Sequence, residues 1–190
     1  MKTDKKSISK FLALVLRHKP EVIGVKLDDN GWTDTALLVK KINDRNHNNF
    51  LTLEMLEEIV EENNKQRYEL NETSSKIRAR QGHSINVDLE LKPQVPPDTL
   101  YHGTVQKFID AIYRLGLIKG NRQYVHLSKD IKTAITVGSR RGKPIILVVN
   151  SSKMHKDGFN FYLSTNGVWL TDHIDPKYIQ GRGEITLDAT

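Results

Sequence analysis

Three of the chain's six prolines fall within the run Lys92-Pro93-Gln94-Val95-Pro96-Pro97, which neither a helix interior nor a central strand tolerates. Missing N–H groups and fixed φ angles favour an extended, semi-rigid connection there. The run divides the 190 residues into two parts with different rhythms. Ahead of it, apolar residues recur at helical spacing; behind it, short apolar runs alternate with turn signals. The expected organisation is residues 1–92, a linker at 93–98, and residues 99–190, each part large enough for a modest core.

In the front part, Ile8, Phe11, Leu12, Val15 and Leu16 follow the spacing of one buried helical face, with Ser7 or Ser9 as the expected cap and Pro20 as the stop. A second helix is predicted from Thr33 or Asp34 with Leu37, Leu38 and Ile42, and a third after Thr52 with Leu53, Leu56, Ile59 and Val60. Glu54, Glu57, Glu58, Glu61 and Glu62 read as a solvated face, and Trp32 as a core or inter-helix residue. Residues 67–70 and 76–79 read as two short strands around a turn. Three helices and a hairpin suggest a winged-helix arrangement, a fold that serves nucleic-acid binding and protein contacts alike. Ile85, Val87, Leu89 and Leu91 alternate with polar residues, the pattern of a half-buried strand.

The back part is predicted to hold strands at 100–104, 125–128, 145–149, 161–164 and 168–171, the last two forming a hairpin around Thr165-Asn166-Gly167, and a final strand at Ile185 and Leu187. Helices are predicted around Phe108, Ile109, Ile112 and Leu115, ending at Gly116, and over 131–137, ending near Gly138. The fold class is therefore α+β.

The absence of cysteine excludes disulfides and thiolate metal sites, and the seven histidines show no metal-ligand spacing, so no metal is expected. No apolar run approaches the roughly 18 residues of a membrane span, and Met1-Lys2-Thr3-Asp4-Lys5-Lys6 lacks a signal-peptide core, so a cytoplasmic protein is expected. A formal charge of +6 attracts phosphates without regard to sequence.

Against that background the run Lys76-Ile77-Arg78-Ala79-Arg80-Gln81-Gly82-His83-Ser84 is a poor recipe for a core and reads as part of an anion site shared by the two halves. Arg17, His18 and Lys19 at the end of the first helix complement its dipole, which by itself is a sufficient reason for them. Gly103 after His102 ends a strand with a backbone that a ligand can approach, beside the Thr104 hydroxyl. His126 and Ser128 are two residues apart and share a strand face. Arg140-Arg141-Gly142-Lys143 reads as a solvated basic loop whose function depends on what lies opposite.

Taken together, Arg17-His18, Ile77-Arg78-Ala79-x-Gln81-Gly82-His83-Ser84, Tyr101-His102-Gly103-Thr104, His126-Leu127-Ser128, Val137-Gly138-x-Arg140-x-Gly142-Lys143-Pro144 and Asn166-Gly167-Val168-Trp169-Leu170-Thr171 resemble the RNA 2'-phosphotransferase family, called Tpt1 in eukaryotes and KptA in bacteria and archaea. The resemblance runs in order from about residue 7 to residue 180. It implies a winged-helix RNA lobe followed by an ADP-ribosyltransferase-like NAD lobe. It implies an enzyme that transfers an internal RNA 2'-phosphate, of the tRNA splice-junction type, to NAD as co-substrate. The products are 2'-hydroxyl RNA, nicotinamide and ADP-ribose 1'',2''-cyclic phosphate. In the first step the RNA 2'-phosphate attacks the anomeric carbon of the nicotinamide ribose, a displacement needing no strong base because nicotinamide leaves neutral. In the second, the ribose 2''-hydroxyl attacks phosphorus and expels the RNA 2'-oxygen, which suits fixed guanidiniums.

By position, the resemblance assigns Arg17, His18, Arg78 and Arg140 to the phosphate and its chemistry. It assigns His102, Gly103, Thr104, His126, Ser128 and Val149 to NAD, with Val148 the second choice for the valine. Gly103 is expected to pair with the nicotinamide amide through its backbone, and Gln81, His83 and Ser84 to contact RNA or shape the site. Many protein ADP-ribosyltransferases carry a glutamate where the valine falls, so protein modification is disfavoured. Arg80 and Arg141 depart from the family's pattern without replacing an expected catalytic group. The alternatives are an enzyme that leaves ADP-ribose on a nucleic-acid phosphate, and a non-catalytic winged-helix RNA binder. A monomer is expected.

Overall fold

The first helix, α1 (Lys5–Arg17), starts on Asp4, whose carboxylate accepts the Lys6 N–H at 3.1 Å, in the computed structural model, which describes residues 4–45 and 50–180. Neither Ser7 nor Ser9 is the cap. The buried face begins at Ile8, so the first turn must precede it, and Ser9 is left inside the helix. There its Oγ accepts from Asn63 Nδ2 at 3.2 Å and its carbonyl from the Tyr68 hydroxyl. The helix stops at Arg17, and Pro20 opens a single 3-10 turn, Pro20–Ile23.

Thr33 and Asp34, expected to begin the second helix, form the short strand β1 (Thr33–Asp34). The helix α2 (Thr35–Arg45) follows, with the Asp34 carboxylate accepting from Leu37 N–H at 2.7 Å. Helix α3 (Leu53–Glu61) begins after Thr52 as expected, and the Thr52 hydroxyl caps it by accepting the Met55 N–H. Strands β2 (Tyr68–Leu70) and β3 (Lys76–Ala79) pair antiparallel, and β1 joins the outer side of β3, giving the order β1-β3-β2. The three helices and this sheet close on one core that includes Leu12, Leu16, Leu38, Leu56 and Ile77, each fully buried. Burying a side chain of that size stabilises by roughly 1.5–3 kcal/mol.

The predicted strand over Ile85 to Leu91 does not form. Its alternation of burial is present, with Val87 buried between exposed Asn86 and Asp88. Its hydrogen bonds, however, go to a loop: Asp88 N–H to Asp29 O at 2.7 Å, and Asn30 Nδ2 to Asp88 O at 2.9 Å. Glu90, at φ +56°, then breaks the extension. Alternation predicts which side is buried, but a strand also needs a neighbouring ladder.

The chain divides into two compact units, Met1–Glu90 and Leu91–Thr190. Residues 93–98 are fastened to the second unit, where Gln94 N–H bonds Phe161 O and the Ser151 hydroxyl bonds Pro97 O. That unit continues with β4 (Leu100–Val105), α4 (Ile109–Leu115), β5 (Leu117–Ile118), β6 (Val125–Leu127), α5 (Ile131–Gly138) and β7 (Pro144–Val149). It ends with α6 (Ser151–Lys156), β8 (Tyr162–Leu163), β9 (Trp169–Thr171), β10 (His173–Ile174) and β11 (Ile179–Gln180). The expected strand at Ile185 and Leu187 lies outside the described residues.

The described strands form two three-stranded sheets, β11-β7-β4 and β6-β9-β8, and the pair β10-β5, every pairing antiparallel. Tyr101 and Ser128 exchange both backbone hydrogen bonds, at 2.9 and 2.8 Å, and so stitch β4 to the end of β6. The architecture is mixed α/β, as expected. No helix of the described residues is long and apolar enough to cross a membrane.

Candidate active site

Within the first unit, the residues singled out by sequence come together from three separate segments. Arg17 ends α1, and its guanidinium lies 3.5 Å from where a Cβ on Gly82 would sit. Gly82 has φ +89°, a conformation that favours glycine, so the residue type fixes how closely this loop passes Arg17. The same loop returns a main-chain bond, Ser84 N–H to Arg17 O at 2.9 Å. The Ser84 hydroxyl is 2.9 Å from His18 Nδ1, which fixes the ring of His18.

Arg78, on β3, is held from three sides. Its Nε meets Glu69 Oε1 at 2.5 Å, its Nη1 bonds Asn30 O at 3.4 Å, and the guanidinium lies 4.4 Å above the Trp32 ring. Glu69 is opposite Arg78 in the β2-β3 register, so the pair follows from the hairpin alignment. Its second oxygen lies 3.6 Å from Arg80 Nε, and Arg80 also donates to Tyr68 O. Arg80 is thus bound back onto its own hairpin. Trp32 is half-buried rather than a core residue, and it supports Arg78.

His83 is 1% exposed, which leaves it no surface from which to touch RNA. Neither ring nitrogen has a hydrogen-bond partner among the described residues. Burial first, then the positive charges of Arg17, His18 and Arg78, push its pKa down to about 4. The ring is therefore neutral at pH 7, and its environment identifies Arg17, His18 and Arg78 as one electropositive cluster. Gln81 is half-buried beside it in sequence.

In the second unit, His102 donates from Nδ1 to the main-chain carbonyl of His126 at 3.0 Å, because a carbonyl can only accept. Burial lowers the His102 pKa; that hydrogen bond opposes the shift, and Arg141 and Arg122 reinforce it. A neutral ring with its proton on Nδ1 has a lone pair on Nε2, an acceptor for a hydroxyl group. Thr104, 6% exposed, and Val149, fully buried, share the His102 face of the β4-β7 ladder, whereas Val148 is on the opposite face with Gly103. His126 and Ser128 share one face of the β6 strand and the residues after it, opposite buried Val125 and Leu127.

Gly103 is required for a reason different from the one expected. Its missing side chain makes room for a helix rather than a ligand: an added Cβ would stand 2.0 Å from Ala134 O of α5. Its main chain is nevertheless well placed for recognition. Tyr101 turns its N–H and C=O away from β7 toward Ser128, and by alternation Gly103 turns its own the same way. Among the described residues no main-chain group pairs with Gly103 on that edge. A planar amide can add to such an edge as another strand would.

Arg140 and Arg141 lie in the 3-10 turn Ser139–Arg141, both exposed. Burial, then Arg141 and Arg140, lower the pKa of Arg122, so these three guanidiniums are neighbours. Sequence reading missed Arg122, Glu69 and Trp32. Arg122, four residues before His126, was legible only as one more surface cation. Among the described residues no group of three or more histidine or acidic side chains is placed to hold a metal.

A family model described as RNA 2'-phosphotransferase, Tpt1 / KptA family, matches residues 3–173. A Flavobacterium johnsoniae protein called a probable RNA 2'-phosphotransferase is 57% identical over 175 residues, covering 92% of this chain and 95% of that one. Proteins with the same description from Acaryochloris marina and Nostoc punctiforme are 48% and 49% identical over 173 and 174 residues. Each alignment covers 91% of this chain and 94% of the relative.

Proposed function

The chain belongs to the RNA 2'-phosphotransferase family of Tpt1 and KptA, and from that membership we propose how its own residues carry out the family's NAD-dependent reaction. The activity is transfer of a 2'-phosphate from RNA. In this reading residues 1–92 form a winged-helix RNA lobe, 93–98 a linker, and 99–190 an ADP-ribosyltransferase-like NAD lobe. The enzyme works as a cytoplasmic monomer on RNA with an internal 2'-phosphate and needs no metal.

The observation that carries the assignment is the gathering of Arg17, His18 and Arg78 around a histidine they help keep neutral. Two guanidiniums and an imidazole in one place suit an RNA 2'-phosphate, which is largely dianionic at neutral pH. Arg17 and Arg78 bind its oxygens through charge-assisted hydrogen bonds. His18, oriented by the Ser84 hydroxyl, contacts the phosphate and serves proton movement in the second step. His83 sits with the cluster without adding a charge of its own. Gln81 and Ser84 complete the RNA side.

For NAD, the open edge at Gly103 fits the nicotinamide amide, and His102 Nε2 fits a ribose hydroxyl as acceptor. Thr104, His126 and Ser128 supply further polar contacts to ribose or phosphate, and Val149 keeps an apolar side chain on the His102 face. The cations beside His102 suit the diphosphate. NAD supplies the electrophilic anomeric carbon. Arg140 stabilises the negative charge that builds on the non-bridging oxygens in the second step.

Single alanine substitutions at Arg17 and Arg78 test the assignment, with NAD and a 2'-phosphorylated RNA as substrates. Each is expected to lower kcat/KM at least about a hundredfold, the order of magnitude for removing one preorganised transition-state donor. Near-normal turnover in either variant would remove that residue from the reaction.

A further inference from the structure

We propose that the cleft between α1 and residues 62–67 is a second phosphate site for the RNA strand, binding backbone phosphodiesters beyond the one that joins the 2'-phosphorylated nucleotide to its neighbour. The inference rests on the reading of this unit as the RNA-binding one, and it adds a surface which that reading does not use.

The cleft measures about 530 Å³. One wall is a single face of α1, where Lys6, Ser9 and Lys10 stand at helical spacing. The other wall holds Lys65 and Arg67, in a segment tied to α1 by Asn63 Nδ2 to Ser9 Oγ at 3.2 Å and by the Tyr68 hydroxyl to Ser9 O. Both walls are therefore fixed before any ligand arrives.

The charge is one-sided. Glu62, the lining carboxylate, is already paired with Lys5 at 3.0 Å, and Lys5 also meets Glu58 at 2.9 Å. Lys6, Lys10 and Arg67 then leave a formal +3 in one concavity that Lys65 also lines. Among the described residues no carboxylate lies within salt-bridge reach of Lys6, Lys10 or Arg67. Lysines on a convex helix face are dispersed in solvent; lysines converging across a fixed cleft repel one another and focus a field that only an anion relieves.

The position selects the anion. Arg67 is one rim of the cleft, and its main-chain carbonyl accepts Arg17 Nη2 at 3.4 Å. A strand with its 2'-phosphate on Arg17 therefore carries its neighbouring phosphodiesters toward Arg67, Lys65 and α1. A free phosphate or a mononucleotide has no such continuation, so the cleft favours longer RNA.

The test compares the wild type with the triple variant Lys6→Ala/Lys10→Ala/Lys65→Ala on two substrates, a 2'-phosphorylated dinucleotide and a 2'-phosphorylated strand of about ten nucleotides, a common single-strand site size. The variant is expected to raise KM for the longer strand about tenfold with kcat unchanged. The dinucleotide should be handled as by the wild type. The slope of log affinity against log salt for the longer strand should fall by about two, from three lost contacts at roughly 0.7 each. Unchanged KM for the longer strand would overturn the proposal, and so would an equal loss on both substrates, which would indicate damage to the catalytic centre or the fold.

Binding of the unphosphorylated ten-nucleotide RNA, followed by fluorescence anisotropy without NAD, separates this proposal from the catalytic reading. Salt-sensitive binding lost in the variant supports the cleft even if no turnover is seen, and equal binding by both proteins refutes it. Competition by a polyglutamate peptide as effective as RNA would overturn RNA as the occupant.

Discussion

Gly103→Ala puts the close approach of α5 to β4 to a direct test. The added Cβ would lie 2.0 Å from Ala134 O and 2.9 Å from Gly138 N, whereas carbon and oxygen meet without repulsion at about 3.3 Å. Roughly 1.3 Å must therefore be found between β4 and α5. Neither side yields readily. β4 is held by a continuous ladder to β7 over six residue pairs, and the obstructing atoms are main chain rather than the end of a flexible side chain. Overpacking of well-filled sites costs about 1–3 kcal/mol, and a backbone obstruction belongs at the upper end, near 3 kcal/mol.

For a chain of this size that corresponds to a fall in Tm of roughly 6–12 °C, read by circular dichroism. Two controls sharpen it. Gly120→Ala meets no atom within 4 Å and carries only the strain of φ +59°, so it should cost about 1 kcal/mol. Adding Ala134→Gly to the variant should not rescue it, because the clash is with the carbonyl oxygen of residue 134 and not its side chain. A Gly103→Ala protein melting within a degree or two of wild type would refute the close packing of α5 on β4.

Three further outcomes follow from the sites. Glu69→Gln removes the charge facing Arg78, and both side chains are about 15% exposed. Loss of a buried pair costs about 3–5 kcal/mol, and with partial solvent access and a retained amide contact the loss should be about 1–2 kcal/mol in urea unfolding; equal or greater stability in the variant would show that Glu69 does not hold Arg78. For His83, the folded pKa of about 4 lies below the unfolded 6.5, so the unfolded chain binds more protons between those values. Stability is complete above pH 6.5 and falls as pH drops toward 4, by about 3 kcal/mol in total; His83→Leu should flatten that limb, and an identical pH profile in the variant would exclude His83 as its source. Arg140→Ala should leave the melting curve unchanged, since the side chain is exposed, and should make ADP-ribosylated RNA accumulate through a slowed second step; normal turnover would remove Arg140 from that step.

Features that depend on neighbours in sequence were legible. Thr52 caps α3, and the turn at residues 71–75 joins two strands in register, because capping and tight turns are local chemistry. Features that depend on a distant partner were not. The run from Ile85 alternates in burial as the pattern says, yet its hydrogen bonds are satisfied by the loop at Asp29 and Asn30, which no period reveals. Gly103 was read as a place for a ligand to approach the backbone, and sequence could not say that α5 comes close there.

The candidate site divides in the same way. Arg17, His18 and Arg78 were found through the resemblance of short motifs. Their setting was not: Trp32 lies far from Arg78 in the chain, and Glu69, in the same hairpin, faces Arg78 only once the strand register is known, so each alone looks like an ordinary aromatic or an ordinary strand acid. The short helix α6 escaped notice because its six residues carry no apolar period and depend on the Asn150 cap.

The central claim, NAD-dependent removal of an RNA 2'-phosphate, is tested most directly by incubating the purified chain with NAD and a short RNA bearing one internal, labelled 2'-phosphate, and resolving the products. The expected result is loss of the label from RNA, release of nicotinamide, and appearance of the label in ADP-ribose 1'',2''-cyclic phosphate. RNA that keeps its phosphate unchanged, or that ends as a stable ADP-ribosylated product, would contradict it.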